Sequence, residues 1–525
     1  MSVPAGPLRR RGEPHKYAIA FAVVLASTMQ IIDSSIVNVT IPHMMGNLGA
    51  SLDEIAWVST GYILAAVIVI PLTGFFAAYF GRKRYFVTSI LIFTTASFFC
   101  GASRSLEALV FWRVVQGLGG GALISTSQAV LLEAFPREEA GMAMGLFGLG
   151  IMVGPTLGPT LGGWITDNYS WPWIFYVNLP FGILAAAMVA AYVHDHPDQE
   201  RTRSVDYLGI GLLAVSAGSL QYVLEHGQRE DWFESGLIIG LTIAAVAGSA
   251  LLLWRELTAA RPAVDFRVLR HQDTWVGTVL GILVGVGLYG SIFVLPVFLQ
   301  GTLQMTAWQT GLIILPGALA TAVSTFVAGR VDRWVDPRLV VLTGAAFFFL
   351  SMWQLSHVTA EAGAADFFWP LVFRGIGLGG LFVPLATITL AGLDFRELPQ
   401  ATGISNFFRQ LGGSLGIALV ATLLVHFTQE ARSVLATHVS LYDPATRARL
   451  GQLTAAFIGR GADAASARSE ALAVMQLQLA RQASVLAFSK LYLLSGIILV
   501  GATPLLLLVS KPQARLQRAL AASAE

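Results

Sequence analysis

Asp33 is a carboxylate inside an apolar run, Gln30-Ile-Ile-Asp33-Ser-Ser-Ile-Val-Asn38. Arg113, Arg374 and Arg409 stand inside other apolar runs, and Lys490 stands near the end of another. A charge at the centre of a bilayer costs at least about 2.5 kcal/mol, so such residues line water, pair with one another or do work. A carboxylate out of water favours its neutral form, while an arginine beside it favours the charged form. A group pulled both ways takes up a proton when the arginine moves off and releases it when the arginine returns. That is the chemistry of proton coupling, and Asp33 with Arg113 are its first candidates. Glu225, at the end of the seventh apolar run, is a further acid able to carry a proton, and Glu133 closes the fourth run. Arg374 and Arg409 fit either a helix-locking or a functional role.

Other chemistries find no residues. His194-Asp195-His196 resembles a metal site but sits in a polar linker without a third ligand nearby. Gly117-x-Gly119 follows no strand, so it is no nucleotide fingerprint. The sequence has no Walker motif, catalytic triad or His-Glu-x-x-His, so the expectation is a non-enzyme without cofactor, driven by a proton gradient. The single cysteine, Cys100, excludes a disulfide within the chain and any cysteine metal cluster.

Composition says what must position these groups. Of 525 residues, 55% are hydrophobic and 12% are charged; a soluble protein carries about twice that charged share. Polar breaks leave about fourteen apolar runs of about 20 residues, long enough to cross a bilayer as helices. Their approximate limits are 17–41, 55–77, 84–102, 107–131, 141–164, 174–194, 206–225, 236–255, 275–299, 309–329, 338–357, 367–391, 401–427 and 487–509. The first run is too long for a signal-peptide core and is read as a retained span. Lys and Arg crowd alternate loops, including Arg9, Arg82, Lys83, Arg84, Arg255, Arg330 and Arg338, whereas the short intervening loops hold only Arg104 and Arg229. This bias predicts cytoplasmic N- and C-termini and an even number of spans. A net charge of +2 gives no reason to expect nucleic acid.

At 1.5 Å per residue, Asp33 lies about 13 Å from the outer end of its span and Arg113 about 9 Å from the outer end of the fourth. Both fall in one leaflet and can meet. Span five reads Gly148-Leu-Gly150-Ile-Met-Val-Gly154-Pro155-Thr-Leu-Gly158-Pro159-Thr-Leu-Gly162-Gly163. Glycines at every fourth position give a smooth helix face for close packing, and Pro155 and Pro159 each remove a helix hydrogen bond and permit a bend. A sliding or hinging interface follows. Gln30, Asn38, Gln116 and Gln128 in the first half, and Tyr289, Phe293, Gln300, Arg374, Asn406, Phe407, Arg409 and Gln410 in the second, are the candidates for lining a cavity. Tyr169-Ser-Trp171-Pro-Trp173 reads as an interfacial aromatic belt.

The chain also repeats itself weakly. Gly74…Gly81-Arg82-Lys83-Arg84 after span two pairs with Gly329-Arg330-Val-Asp332-Arg333 after span ten, and Arg113…Gly121 in span four pairs with Arg374…Gly380 in span twelve. Two six-span halves with spans seven and eight inserted between them are therefore expected, an arrangement typical of alternating-access transporters. The expected units are a tail at 1–16, an N-terminal bundle at 17–194, an inserted pair at 195–256, a C-terminal bundle at 257–509 and a tail at 510–525. The C-terminal bundle includes a long outer loop at 428–486, whose stretch Ala464–Ala483 could form an amphipathic helix outside the membrane.

These features resemble the major facilitator superfamily, in particular its fourteen-span drug:proton antiporter family of the EmrB/QacA type. Ile31-Ile-Asp33…Pro42 is similar to that family's first-span motif, Arg113-Val-Val-Gln116-Gly117 to the span-four motif, and Gly154-Pro155-Thr-Leu-Gly158 with Gly162-Gly163 to the antiporter motif. The resemblance implies a role for Arg113 in proton transfer, export rather than uptake, and gating by Gly74, Gly81, Arg82, Lys83, Asp332 and Arg333. It also implies a bacterial inner-membrane pump for hydrophobic or amphipathic compounds, partnered by a periplasmic membrane-fusion adaptor and an outer-membrane channel. The loop after span two departs from the family pattern: Ala78 stands where an Asp is usual and Tyr79 where a basic residue is. An exporter dedicated to one metabolite, lipid or siderophore keeps the same fold, and a non-transporting scaffold or receptor is the alternative of another class.

Overall fold

The computed structural model describes residues 16–136, 139–194, 205–259, 262–331, 334–391, 393–394, 397–440 and 442–510; of the helix side chains at 38, 39, 42, 52, 53, 152, 153, 155, 156, 159 and 307 nothing is described. Asp332, Arg333 and the linker residues Asp195 and His196 thus lie outside the described residues, as do the side chains of Asn38, Pro155 and Pro159.

The described residues form helices joined by short turns. The N-terminal bundle comprises α1 (Lys16–Leu48), α2 (Leu52–Phe80), α3 (Arg82–Ala102), α4 (Leu106–Ala134), α5 (Ala140–Asn168) and a sixth span broken into α6 (Trp173–Tyr176) and α7 (Asn178–Tyr192). An inserted hairpin follows, α8 (Tyr207–His226) and α9 (Gly236–Thr258). The C-terminal bundle comprises α10 (Gln272–Val297), continued by a π-helical turn over Phe298–Thr302, then α11 (Ala307–Val331), α12 (Pro337–Leu355), α13 (Ala364–Leu390), α14 (Leu398–Thr437) and α16 (Ala464–Gly501), with the short α15 (Pro444–Ile458) between the last two. Thirteen of the described helices are long and apolar enough to cross a membrane, and the 29-residue α5 completes fourteen. This is a multi-pass membrane protein. The stretch Ala464–Ala483 is a helix, and it runs without a break into the last span as α16.

Local chemistry sets the ends. Ser51 caps α2 with Glu54 answering it, Ser105 caps α4, Asp206 caps α8, and Asp443 and Asp463 cap α15 and α16; each supplies an oxygen to helix amides that lack a partner. Gly81, at φ 86°, makes the abrupt turn from α2 to α3, a conformation that suits glycine.

The two bundles repeat one packing plan. In the first, α4 lies against α2 and α3, and α1 against α5; in the second, α13 lies against α11 and α12, and α10 against α14. Backbones approach closely at matching glycines. A Cβ on Gly119 would stand 2.7 Å from the Phe93 amide, and one on Gly377 2.7 Å from the Phe348 amide. Gly117 and Gly121 pack on Tyr62 and Ala66 of α2, as Gly375 and Gly379 pack on Ala320 and Ser324 of α11. The halves meet where α2 and α5 of one face α14 and α11 of the other. The hairpin packs through α8 on α2 and α14, while α9 shows most of its surface outward, with Ile243, Val246 and Trp254 exposed.

Candidate functional site

Four spans converge on Asp33, whose side chain is fully buried. Arg113 of α4 donates from Nη1 to Oδ2 at 2.7 Å. Gln116, one turn further along α4, donates to Oδ1 at 2.9 Å, and Asn178, the first residue of α7, donates to the same oxygen at 2.7 Å. The donors are themselves held closely. Arg113 donates from Nε to the Val58 carbonyl at 2.9 Å and from Nη1 to Gln116 Oε1 at 2.8 Å. Its guanidinium lies 4.3 Å over the Tyr62 ring, and the Tyr62 hydroxyl accepts from Gln30 at 3.0 Å. Asn178 also donates to Ser97 Oγ of α3 at 3.0 Å. A buried ion pair is held only when its remaining lone pairs and protons are satisfied, and here both carboxylate oxygens are.

The sequence places Asp33 and Arg113 in one leaflet, and the structure puts them in contact. Gln116, expected to line a cavity, belongs to the carboxylate instead, as its spacing of three from Arg113 on one helix face allows. Asn178, in the stretch Trp173–Gly182 that resembles the family, and Tyr62 are not among the site candidates read from the sequence. Asn178 follows the aromatic belt at a helix break and reads as a turn residue; Tyr62 is one aromatic among many.

The glycine face of α5 packs on the turns of α1 that carry Asp33. Gly150 faces Val24 and Thr28, a Cβ on Gly154 would come 2.6 Å from Ile31 Cγ2, Gly158 abuts Ser35, and a Cβ on Gly162 would come 2.7 Å from Ile36 Cγ1. Gly163 has nothing within 4 Å of that position and lies outside the contact. The opposite side of α5, at Gly145, meets Thr325, Phe326 and Gly329 of α11. α5 therefore lies between the Asp33 helix and the other bundle.

Glu225 is not part of this cluster. It is exposed and accepts from Thr60 Oγ1 at 2.9 Å, two residues along α2 from the Val58 carbonyl that Arg113 uses. Glu225 belongs to α8, and no described contact joins it to Asp33 or Arg113. At the arginine-rich end, Arg82 forms an ion pair with Glu133. Glu133 on α4 thus anchors the α2–α3 turn, a partner for it that does not depend on residue 78. Gly74 packs directly on Gln400 of α14.

Of the expected cavity residues, Gln128, Asn406 and Arg409 come together between the bundles, around a space of about 30 Å³. Asn406 donates to Gln128 Oε1 at 2.9 Å and to Ser125 Oγ at 3.2 Å, bridging the two halves; Arg409 donates to Asn406 Oδ1. The others lie elsewhere. Phe407 is in an apolar cluster with Val67 and Leu213, Tyr289 packs on Gly413, Phe293 borders the C-terminal core, and Gln300 and Gln410 do not line this space. Arg374 is buried inside the C-terminal bundle and donates to the Ser291 carbonyl at 3.3 Å. Matched by the glycine contacts, Arg374 takes the place of Gln116, and Leu371 that of Arg113. The acid–arginine pair has no counterpart in the second bundle among the described residues.

Comparison with known proteins agrees with this architecture. Residues 23–417 match the Major Facilitator Superfamily. The multidrug export protein EmrB of Escherichia coli K12 is 35% identical over 83% of this chain and 85% of its own. The fatty acid resistance protein FarB of Neisseria gonorrhoeae is 30% identical over 94% of this chain and 96% of its own. The colistin resistance protein EmrB of Acinetobacter baumannii is 29% identical over 92% and 94%. The crystal structure of the human organic anion transporter MFSD10 superposes with a TM-score of 0.58 at 14% identity, covering 93% of this chain and all of that one, a likeness of fold. On its repeated bundles, its fourteen spans and these matches, the chain belongs to the major facilitator superfamily and is a transporter rather than an enzyme.

Proposed function

We propose that this protein is a proton-coupled antiporter that exports hydrophobic or amphipathic toxic compounds across the bacterial inner membrane by alternating access. The observation that carries the reading is the buried Asp33 carboxylate, held by Arg113, Gln116 and Asn178. Protonating Asp33 removes the charge that Arg113 answers. The guanidinium then has the Val58 carbonyl and the Tyr62 face to hold it, and α1 is free to shift against α4. Because the glycine face of α5 rests on the same turns of α1, such a shift moves α5 and, through Gly145, the contact with α11. The effect of protonating Asp33 thereby reaches the seam between the bundles. Glu225, bound to Thr60 of α2, is a second proton carrier in this scheme. The names of the relatives, multidrug export and fatty acid and colistin resistance, support export of toxic compounds as the purpose.

In this reading the arginine-rich helix ends and both termini face the cytoplasm. The units run 17–194, 195–256 and 257–509, and the cytoplasmic gate includes Gly74, Gly81, Arg82 and Lys83. The outer arm formed by the end of α14, by α15 and by the start of α16 is the docking element for a periplasmic membrane-fusion adaptor, which passes the compound to an outer-membrane channel.

Everted membrane vesicles test the core of the proposal. With an acid interior, wild-type vesicles accumulate toxic substrates. An amide cannot take up the proton, so Asp33→Asn vesicles are expected to lose gradient-driven accumulation while keeping the protein in the membrane. Undiminished accumulation in Asp33→Asn would remove Asp33 from the mechanism.

A further inference from the structure

The transport reading leaves one strong charge unused. Among the described residues, Arg409 of α14 is the single charged one lining this space between the bundles. It stands half-buried at that seam. Its described contacts are Asn406 Oδ1 and the face of Phe382, 4.8 Å from the guanidinium carbon. No carboxylate pairs with it among the described residues, in contrast to Arg113 with Asp33 and Arg82 with Glu133. A guanidinium has five N–H donors in a planar fork, so most of this fork is uncommitted.

Its surroundings sort by polarity. Asn406, Gln128, Thr402 and Ser405 lie near the arginine, and Val284, Phe382 and Leu385 form an apolar wall. Gly281 borders the same space and has nothing within 4 Å of where a Cβ would stand, which gives the space room on the α10 side. A volume of about 30 Å³ holds about one water molecule, so a larger guest enters when the bundles part. The lining residues come from both bundles, α4 on one side and α10, α13 and α14 on the other, so parting them enlarges this space directly.

From the unpaired fork beside an apolar wall, we infer that Arg409 is the headgroup receptor of an anionic substrate, and that the exported compounds are amphipaths bearing a carboxylate or sulfonate. The inference rests on the exporter reading and narrows it. Planar oxyanions match the arginine fork with two parallel hydrogen bonds, and the tail of the amphipath takes the Phe382 and Leu385 side. The physics of exchange agrees. A proton moving in and an anion moving out both carry positive charge inward, so an interior-negative membrane potential drives both.

Two probes of equal chain length and opposite permanent charge decide it: dodecanesulfonate and dodecyltrimethylammonium, radiolabelled, in acid-loaded everted vesicles bearing the full chain. Wild type is expected to accumulate the sulfonate well above the cation. A charge-assisted hydrogen bond contributes about 1.5–3 kcal/mol, so Arg409→Gln should lower sulfonate accumulation about tenfold or more. Arg409→Lys, keeping the charge without the fork, should fall between the two. A toxic-compound panel including uncharged members is run on the same vesicles. A wild-type size-exclusion profile and unfolding temperature in detergent show that Arg409→Gln is folded, and Asp33→Asn should abolish transport of every panel member that the wild type moves. Equal sulfonate accumulation by wild type and Arg409→Gln, or a preference for the cation, overturns the inference. If the panel is transported and the sulfonate is not, the inference alone falls; if wild type transports nothing, the exporter reading falls with it.

Discussion

At the residue scale, Asp33 is the group on which polar partners from two other spans converge. Two donors from α4 and one from α7 satisfy a fully buried carboxylate. Asn178 is the informative member because it brings a hydrogen bond from the broken sixth span to the carboxylate. Asn178→Leu removes a hydrogen bond to Oδ1 and another to Ser97 at similar side-chain volume. The lost bond to a charged group is worth about 1.5–3 kcal/mol, so the variant should unfold at a lower temperature and transport more slowly than wild type, both measured in detergent and vesicles. Wild-type values on both counts would mean that the amide only fills space. Charge made Asp33 and Arg113 legible in the sequence, since an ion in an apolar run has few explanations. An amide at a helix break has many, and the Asn178 contact exists only once α3, α1 and α7 are assembled. The same holds for Arg82 with Glu133: each was visible, but their meeting depends on how α2 turns at Gly81.

At the scale of elements, the four-residue glycine repeat of α5 told what kind of contact to expect but not with whom. The partner is α1, at Ile31, Ser35 and Ile36 around Asp33, and the pairing is set by the bundle topology. This gives a matched pair of substitutions. Gly158→Val puts a branched side chain onto Ser35 and Ile36, where overpacking costs about 1–3 kcal/mol and separates the helices. Gly163→Val, on the same helix, meets open space. Transport and thermal stability should fall in the first and stay near wild type in the second. Equal tolerance of both would show that close contact between α1 and α5 is not needed for the cycle. The apolar spans themselves were legible because their length is dictated by the bilayer. The cavity lining was not: Phe407 and Gln410 neighbour Arg409 in sequence, yet helical rotation turns them toward other surfaces, and no periodicity separates a lipid face from a seam when both are apolar.

At the scale of the whole molecule, the two bundles share a packing plan but not their charges. The first holds an acid–arginine pair, whereas the second has Leu371 and Arg374 at the matching places. Under the proposed function, the bundle that takes up the proton is thus distinct from the one that carries Arg409, and the seam between them must transmit the signal. In this conformation the seam is closed at the arginine-rich end, where Gly74 meets Gln400 and Gly145 meets Phe326 and Gly329. If the cycle requires that end to open, locking it must stop transport without touching either site. The ideal Cβ of Gly145 lies 3.6 Å from the Phe326 Cα, a separation compatible with a disulfide, whose Cα atoms stand about 4.4–6.8 Å apart. In a Cys100→Ser background, which removes the single native thiol, Gly145→Cys with Phe326→Cys should transport when reduced, lose transport on oxidation and regain it with reductant, while each single cysteine variant ignores the oxidant. Mass spectrometry of the oxidised sample establishes how much protein is bridged. Fully bridged protein that transports at the reduced rate would require the bundles to part elsewhere, and α5 could then not be the element that carries the protonation of Asp33 to the seam.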